Sequence, residues 1–321
     1  MRYNQLGKTD MKVSSITFGC WEMGGTMWEF TNDENNINAV RKALDLGINS
    51  FDTAEVYGNG HSEEVLGKAL GNDRKNVIVA TKVAPANLRP KDIRKSAIES
   101  LKRLKTDYID LYYIHWPNAA LSMEDAMGEM VRLKEEGLIR SIGASNHDVE
   151  LLKTISKIGR VDAIQPEYSL LHRGIEPQIL PWCLENDVAV LSYSSIAKGL
   201  LAGLFHTKGV ELKGEDFRAG RRLFTPDHLE KERPLIELVE IISREKGIEM
   251  SQLAIAWLLS KRGMTSAIVG TQNVKHLVSN VKAVDISLSD DEMARLDELS
   301  AKVLSEIDGS LGEIAVIRPV S

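Results

Sequence analysis

Four side chains that could share one reaction lie at or just beyond the ends of short apolar runs. Lys82 ends NVIVATK, Asp52 lies near the end of INSFDT, His115 ends YIDLYYIH, and Tyr57 follows Asp52 by five residues. An ammonium group at the end of a buried strand costs roughly several kcal/mol unless a counter-charge or a reaction requires it. Asp52 can balance that charge, so we expect Lys82 and Asp52 to pair.

These residue types suit proton transfer to a carbonyl oxygen. A tyrosine hydroxyl has a reference pKa of about 10, and a nearby ammonium favours the phenolate. We therefore expect Lys82 to draw down the pKa of Tyr57, while His115 polarises a bound carbonyl or orients the proton donor. Together the four residues predict a general acid that protonates a carbonyl oxygen as a hydride arrives at its carbon.

Further polar residues occupy similar positions along the chain. Ser145 and Asn146 follow the fifth apolar run, Gln165 lies in the sixth, and Tyr193 lies near the end of the seventh. Each such residue alone has a structural explanation as a helix cap, a hydrogen-bonded core side chain or a packing residue. Their coincidence at strand ends weakens these explanations together, because barrel chemistry collects at the carboxyl ends of strands.

Apolar runs alternate with helical patterns almost to the end of the chain, which predicts an α/β fold. This favours one (β/α)8 TIM barrel over residues 1–321, with an N-terminal β-hairpin. A doubly wound open sheet is the competitor, but GCWEMGG at 19–25 does not match the G-x-G-x-x-G phosphate turn of that fold. The predicted strands are 14–19, 48–53, 76–82, 108–115, 139–145, 161–167, 188–194 and 266–270.

Two segments depart from the alternation. Residues 205–233 form a long polar insertion after the seventh strand, which we interpret as a functional cover; a merely mobile surface loop is the alternative. Residues from about 303 to 321 are interpreted as a C-terminal tail.

Composition excludes several classes of protein. The net charge of −6 argues against a nucleic-acid partner, and no apolar run is long enough to span a membrane. The amino terminus lacks a signal-peptide hydrophobic region. Two cysteines provide neither a disulfide framework nor a zinc-type cluster, so we expect no metal and a reduced, cytoplasmic compartment.

Five segments together resemble the aldo-keto reductase family, in register from about Leu6 to Leu299. They are FDTAEVYGNGHSEEVLGKAL (51–70), ATKV (80–83), TDYIDLYYIHWP (106–117), IRSIGASN (139–146) and SYSSIAKGLLAGL (192–204). The last, with its long following loop, looks like the subgroup of bacterial inositol-associated reductases and potassium-channel β subunits. The resemblance implies that Asp52, Tyr57, Lys82 and His115 form the catalytic tetrad, and that NAD(P)H binds in an extended pose across the barrel mouth.

The resemblance also implies roles for other residues. Ser145, Asn146 and Gln165 would bind the nicotinamide carboxamide, Tyr193 would stack on its ring, and the loop with Arg218 would close over the cofactor. Trp21, Trp28, Tyr57, His115 and Trp116 would line the substrate pocket. The remaining cofactor residues would be Gly19, Cys20, Trp21, Asp52, Ser194, Ile196, Lys198, Gly199, Leu200, Gly270, Thr271, Gln272, Lys275, His276 and Asn280. For Lys198 and Arg218, solvated surface charge is the alternative.

Two departures from the family pattern affect these expectations. Ser195 stands where a proline usually stiffens the chain after the seventh strand. At the adenosine end, Gln272 occupies the neighbourhood where the family commonly places Lys or Arg on the 2′-phosphate of NADP, and it cannot supply that charged contact. We therefore expect weakened discrimination for NADP and acceptance of NAD.

Two other functions compete with carbonyl reduction. A Schiff-base lyase would use a neutral, nucleophilic Lys82, which nearby Asp52 opposes. A regulatory subunit would bind the cofactor to report redox state. The expected substrate is an aldehyde, a ketone or a sugar-derived carbonyl, and either a monomer or a homo-oligomer is compatible with the sequence.

Overall fold

The computed structural model describes residues 1–25, 32–206, 212, 216, 218–219, 221–307 and the backbone of 308. The strands are β1 (Tyr3–Gln5), β2 (Lys12–Ser14), β3 (Ile16–Gly19), β4 (Ser50–Asp52), β5 (Ile78–Val83), β6 (Ile109–Ile114), β7 (Ile139–Ser145), β8 (Ala163–Gln165), β9 (Ala189–Ser192) and β10 (Ser266–Gly270). The helices are α1 (Asp33–Asp45), α2 (His61–Leu70), α3 (Pro90–Leu104), α4 (Met123–Glu135), α5 (Val149–Ile155), α6 (Ile179–Asn186), α7 (Pro226–Lys246), α8 (Met250–Ser260), α9 (Val274–Val281) and α10 (Asp290–Asp308).

Strands β3 to β10 form a closed parallel barrel in the order β10-β3-β4-β5-β6-β7-β8-β9. Each predicted strand contributes one of these eight, and β1 pairs with β2 as the predicted antiparallel hairpin. The register places Gly19 beside Asp52, and Lys82 beside Tyr113. Parallel strands bring their carboxyl ends to one rim, so the polar residues identified in the sequence meet there.

Two apolar clusters stabilise the barrel. The larger lies between the strands and the surrounding helices, and the smaller fills the interior with residues such as Leu111, Tyr113 and Leu191. Leu6 and Val13 of the hairpin belong to the interior cluster, so the hairpin packs on the barrel. Gly143 makes room for the Tyr113 ring, because a Cβ there would lie 2.2 Å from a ring carbon.

The segment after β9 is shorter than the sequence suggested. Residues 226–233, assigned to the long insertion, form the first two turns of α7, which Thr225 caps by accepting a hydrogen bond from the His228 N–H. Pro226 fits this helix start because its missing N–H is not needed in the first turn. Of the rest of the insertion, residues 207–211, 213–215, 217 and 220 lie outside the described residues, as do residues 309–321 of the expected tail; residues 303–308 belong to α10.

Among the described residues, no helix is both long and apolar enough to cross a membrane.

A buried carboxyl group in α7 opposes folding at neutral pH. Glu232 is fully buried, and neither of its carboxyl oxygens has a hydrogen-bond partner in the described part of the chain. Burial raises the pKa of Glu232 from 4.5 to about 8. The unfolded chain therefore loses this proton at a lower pH than the folded one, and folding stability falls between these two values.

Glu232→Gln should stabilise the protein increasingly as the pH rises. Between pH 6 and pH 8, the free energy of unfolding of the wild type should fall by roughly 2 kcal/mol relative to that of the variant. Over this range Glu232 is ionised in the unfolded wild type but keeps its proton in the folded protein up to about pH 8, whereas glutamine does not titrate. Urea unfolding at both pH values measures this difference. An equal free energy of unfolding for both proteins at both pH values would contradict the assignment.

Candidate active site

The ammonium group of Lys82 lies at the centre of the barrel rim. The side chain is fully buried, and Nζ donates to Asp52 Oδ1 at 2.6 Å, to the Thr53 carbonyl at 2.7 Å and to the Tyr57 hydroxyl at 3.2 Å. An ammonium has three N–H donors, so this one is fully satisfied. The structure therefore brings together Asp52, Tyr57 and Lys82 as the sequence predicted.

Asp52 is held from two sides. Its Oδ1 accepts from Lys82, and its Oδ2 accepts from Gln165 Nε2 at 2.6 Å. Asp52 ends β4, Lys82 belongs to β5 and Gln165 ends β8, so these contacts cross the barrel mouth. The carboxylate thus has a fixed orientation beneath the ammonium.

The protonation states follow from burial and pairing. Burial acts to lower the pKa of Lys82, but Asp52 and Tyr57 outweigh it, so the pKa is raised and the lysine is charged. Burial raises the pKa of Tyr57, and Lys82 opposes this only in part. The expected net decrease in the Tyr57 pKa is therefore wrong, because removal of the phenolate from water outweighs attraction to the ammonium. Tyr57 keeps its proton at neutral pH.

His115 completes the set as a neutral imidazole. Its ring lies edge-on to Tyr57, with 5.8 Å between ring centroids. Burial, and then the charge of Lys82, lower the pKa of His115 well below its usual value. Its Nδ1 is buried and has no hydrogen-bond partner in the described part of the chain.

One of the predicted pocket tryptophans, Trp21, borders this group. The Trp21 ring lies 6.4 Å from the Tyr57 ring, measured between centroids, and Trp116 follows His115 and is half-buried. Cys20, beside Trp21, is fully buried, and its N–H donates to the Asp52 carbonyl at 2.8 Å. Trp28 lies outside the described residues.

A contact between two glycines fixes the position of Tyr57 and was not found from the sequence. Gly24 ends the 3-10 helix Trp21–Gly24 and touches Gly58, which follows Tyr57 with φ of 61°. A Cβ on Gly58 would lie 2.1 Å from the Gly24 carbonyl oxygen. The glycines of the sequence YGNG indicate a turn with positive φ, but only the folded structure shows that Gly58 lies against Gly24.

The residues predicted to hold a carboxamide form one hydrogen-bonded cluster. Asn146 Nδ2 donates to the Ser145 hydroxyl at 2.9 Å and to the His115 carbonyl at 3.1 Å, and the Tyr193 hydroxyl donates to Asn146 Oδ1 at 2.8 Å. The backbone of Asn146 is in the left-handed conformation, with φ of 61°. The cluster presents polar groups beside His115.

Buried His147 supports this cluster and was missed by sequence reasoning. Burial lowers the pKa of His147 to about 4, so the ring is neutral, and its Nδ1 lies 2.7 Å from the Ser145 carbonyl, to which it donates. No local pattern distinguishes it from a surface histidine.

The segment after β9 has an unusual backbone. Ala197, Lys198 and Gly199 have φ of 48°, 54° and 101°, and Ser194 has φ of 55°. Where the family has proline, the Ser195 hydroxyl donates to the Ile268 carbonyl at 3.0 Å, so a hydrogen bond fixes this turn to β10.

Both basic residues predicted near this segment are paired. Lys198 Nζ lies 2.8 Å from Glu167 Oε1, and Arg218 Nη2 lies 2.6 Å from Asp216 Oδ2. Arg218 Nη1 also donates to the Lys198 carbonyl at 3.2 Å. Neither is a solvated surface charge. Of the neighbouring predicted residues, Leu200 is fully buried, whereas Ile196 is half-buried.

The residues predicted at the adenosine end lie after β10. Gly270 pairs with Gly19, Gln272 is half-buried, and Asn280 is buried, with its Oδ1 accepting from the Ser251 hydroxyl at 3.0 Å. The predicted residues Thr271, Lys275 and His276 are half-buried or exposed on the same stretch.

A carboxyl group approaches this stretch and was not identified from the sequence. Oε1 of Glu22 lies 3.8 Å from the position that a Cβ on Gly270 would take. Burial raises the pKa of Glu22, whereas the Gln272 N–H and Arg218 act to lower it.

No group of three or more metal-binding side chains occurs in the described part of the chain.

Comparison with known proteins agrees with this geometry. The family model described as "Aldo/keto reductase family" matches residues 15–301. The chain is 32% identical over 317 residues to "Aldo-keto reductase YhdN" of Bacillus subtilis, covering 95% of this chain and 96% of that protein. It is also 32% identical over 324 residues to "NADH-specific methylglyoxal reductase" of Escherichia coli, covering 94% and 98%.

Solved structures agree as well. An aldo/keto reductase from Klebsiella pneumoniae in complex with NADP and acetate has a TM-score of 0.75 and 29% identity, with 94% of this chain and 96% of that chain covered.

Gly58→Ala should reduce turnover by about 100-fold or more with little change in overall fold, because the clash displaces Tyr57 by a fraction of an ångström or more. Gly71→Ala is the matched control, since Gly71 also has positive φ, 48°, but nothing within 4 Å of an added Cβ. Turnover and circular dichroism of both variants measure the effect. Equal loss in both would show that backbone strain, and not the Tyr57 contact, is responsible.

Proposed function

The chain belongs to the aldo/keto reductase family, and from that premise we propose that it reduces the carbonyl group of an aldehyde, ketone or sugar with Tyr57 as the proton donor. The proposal rests on one observation above all: the Tyr57 hydroxyl accepts a hydrogen bond from a buried, charged Lys82 beside neutral His115. A bound reduced nicotinamide dinucleotide would supply the hydride.

The protein's own groups account for the proton. Tyr57 is protonated at neutral pH, so its O–H can be given to the substrate oxygen as negative charge develops there. The phenolate that remains is stabilised by the ammonium 3.2 Å away. The neutral His115 imidazole keeps one N–H, which would donate to the same oxygen in the proposed reaction. In the reverse direction, the phenolate takes the proton from an alcohol.

The barrel mouth fits a nicotinamide dinucleotide. The hydrogen-bonded cluster of Ser145, Asn146 and Gln165 would bind the carboxamide, and Tyr193, whose hydroxyl donates to Asn146, would stack on the nicotinamide ring. The left-handed backbone at 197–199 matches the tight turns that approach phosphates closely. The similar Klebsiella structure contains NADP.

The competing functions fit the site less well. A Schiff base needs a neutral lysine with a free electron pair, whereas Lys82 is charged and donates three hydrogen bonds. A purely regulatory role does not explain why the proton-donor arrangement is complete.

We further propose that the adenosine end accepts NAD. Gln272 carries no charge, so it cannot form the ion pair with a 2′-phosphate that an arginine would form. The name of the Escherichia coli relative, an NADH-specific reductase, supports this.

We propose that Trp21 and Trp116 line the substrate pocket beside Tyr57 and His115, because such aromatic walls accept small aldehydes or stack on sugar rings. We also propose that the chain is one domain and that it works as a monomer or homo-oligomer. A cytoplasmic location is proposed as well, and the two free, buried cysteines support a reducing compartment.

Tyr57→Phe should lower kcat for carbonyl reduction by roughly 100- to 10,000-fold, because it removes the proton donor while keeping the ring. The assay is a panel of aldehydes, ketones and sugars with NADH and NADPH. Tyr112→Phe makes the same chemical change at a buried hydroxyl with no partner in the described residues, and should leave kcat unchanged. Full turnover by Tyr57→Phe with an unchanged pH profile would overturn the assignment.

Gln272→Arg should raise kcat/KM for NADPH relative to NADH by about tenfold or more, because it adds a charged, bidentate phosphate contact. Cofactor titrations of the wild type and the variant provide the measurement. A strong NADPH preference in the wild type that disappears on changing Lys275 would refute the proposed acceptance of NAD.

A further inference from the structure

Three consecutive residues, 197–199, have positive φ, and this conformation requires a structural explanation. Positive φ is unfavourable for any residue with a Cβ, and two of the three residues here, Ala197 and Lys198, have one. Such backbone persists only where surrounding contacts determine it, and it is common at binding sites.

The Lys198 side chain supplies one such contact. Its Nζ lies 2.8 Å from Glu167 Oε1, and the Lys198 and Glu167 side chains are only 16% and 23% exposed. Glu167 follows β8 and bridges to Tyr193, so it is anchored to the barrel. Burial acts to raise the pKa of Glu167, but Lys198, His172 and Ser194 together lower it by more than burial raises it. The pKa is therefore below its usual value, and the carboxylate is ionised.

The backbone of Lys198 supplies a second contact. Its carbonyl accepts from Arg218 Nη1 at 3.2 Å, and Asp216 holds Arg218 through two side-chain hydrogen bonds at 2.9 and 2.6 Å. Lys198 therefore joins the end of β8, through its side chain, to the loop after β9, through its backbone.

We propose that Glu167 is a positioning residue for dinucleotide binding, and that it acts by holding Lys198 and thereby the left-handed segment 197–199. This inference rests on the proposed function, because it assumes that the segment lies under the dinucleotide phosphates. The Lys198 ammonium is then a structural strut bound to a carboxylate, and not a ligand of the phosphates.

The two possible roles of Lys198 predict opposite effects of Glu167→Gln. If the carboxylate positions the segment, its removal weakens dinucleotide binding. If the ammonium is a phosphate ligand that Glu167 holds back, removal of the carboxylate releases the cation and strengthens binding.

The experiment compares the Kd for NADH and NADPH in wild type, Glu167→Gln, Lys198→Met and the double variant, by quenching of tryptophan fluorescence. Each single change should weaken binding by roughly tenfold, and the double variant no further, because both remove the same contact. At saturating cofactor, kcat should stay within about twofold, since the tetrad is untouched. Lys198→Arg, which keeps the pair, should bind as the wild type does.

Glu150→Gln is the matched control. It breaks an ion pair of the same 2.8 Å length, to Lys153, which is exposed on α5. Its Kd should not change. If Glu167→Gln fails to fold, Glu167→Asp, which keeps the charge but draws the carboxylate back from Lys198, tests the same contact with the same opposite expectations.

The failures are distinguishable. Tighter or unchanged binding by Glu167→Gln, with normal wild-type binding, would overturn the positioning role alone. A wild-type protein that binds neither dinucleotide would overturn the proposed function, and the positioning role with it.

Discussion

The site depends on keeping one ammonium group charged inside the barrel. Removing Lys82 from water would favour its neutral form, and only complete hydrogen bonding with an adjacent carboxylate reverses that preference. The three acceptors come from Asp52, Thr53 and Tyr57. Because Gln165 holds the other oxygen of Asp52, the position of the cation is determined by strands on both sides of the mouth. The same arrangement that stabilises the charge therefore orients the phenol.

Close backbone contacts are the second requirement. The phenol can meet the ammonium only if the turn after β4 lies against the 3-10 helix after β3, and that contact has no room for a Cβ at Gly24 or Gly58. Gly143 serves the interior in the same way by admitting the Tyr113 ring. Glycine is required at these places for space, so the geometry of the site is set by packing at the backbone level.

Much of this organisation could be predicted from the sequence. All eight barrel strands were predicted, because buried parallel strands have short apolar runs bounded by turn and helix-capping residues, and the barrel topology confirms them. The meeting of Asp52, Tyr57 and Lys82 followed from the rule that carboxyl ends share one rim. The net direction of the Tyr57 pKa did not follow, because it depends on how much desolvation opposes the ammonium. Contacts such as Lys198–Glu167 and His147–Ser145 were also missed, since their partners are set by the folded path of the loops.

The positively charged side chains at the rim and at the centre of the barrel mouth have different partners. At the centre, one cation remains directed at a hydroxyl that changes charge during the proposed reaction, so its electrostatic effect is largest where the reaction needs it. At the rim, Lys198 and Arg218 are each bound to a carboxylate. Their long-range attraction for an anion is thereby reduced, so the proposed recognition of a dinucleotide would depend more on backbone dipoles and shape than on net positive charge. In the proposed function, such a rim would bind through preorganised geometry, which agrees with the ordered side-chain pairs and left-handed backbone that occur together there.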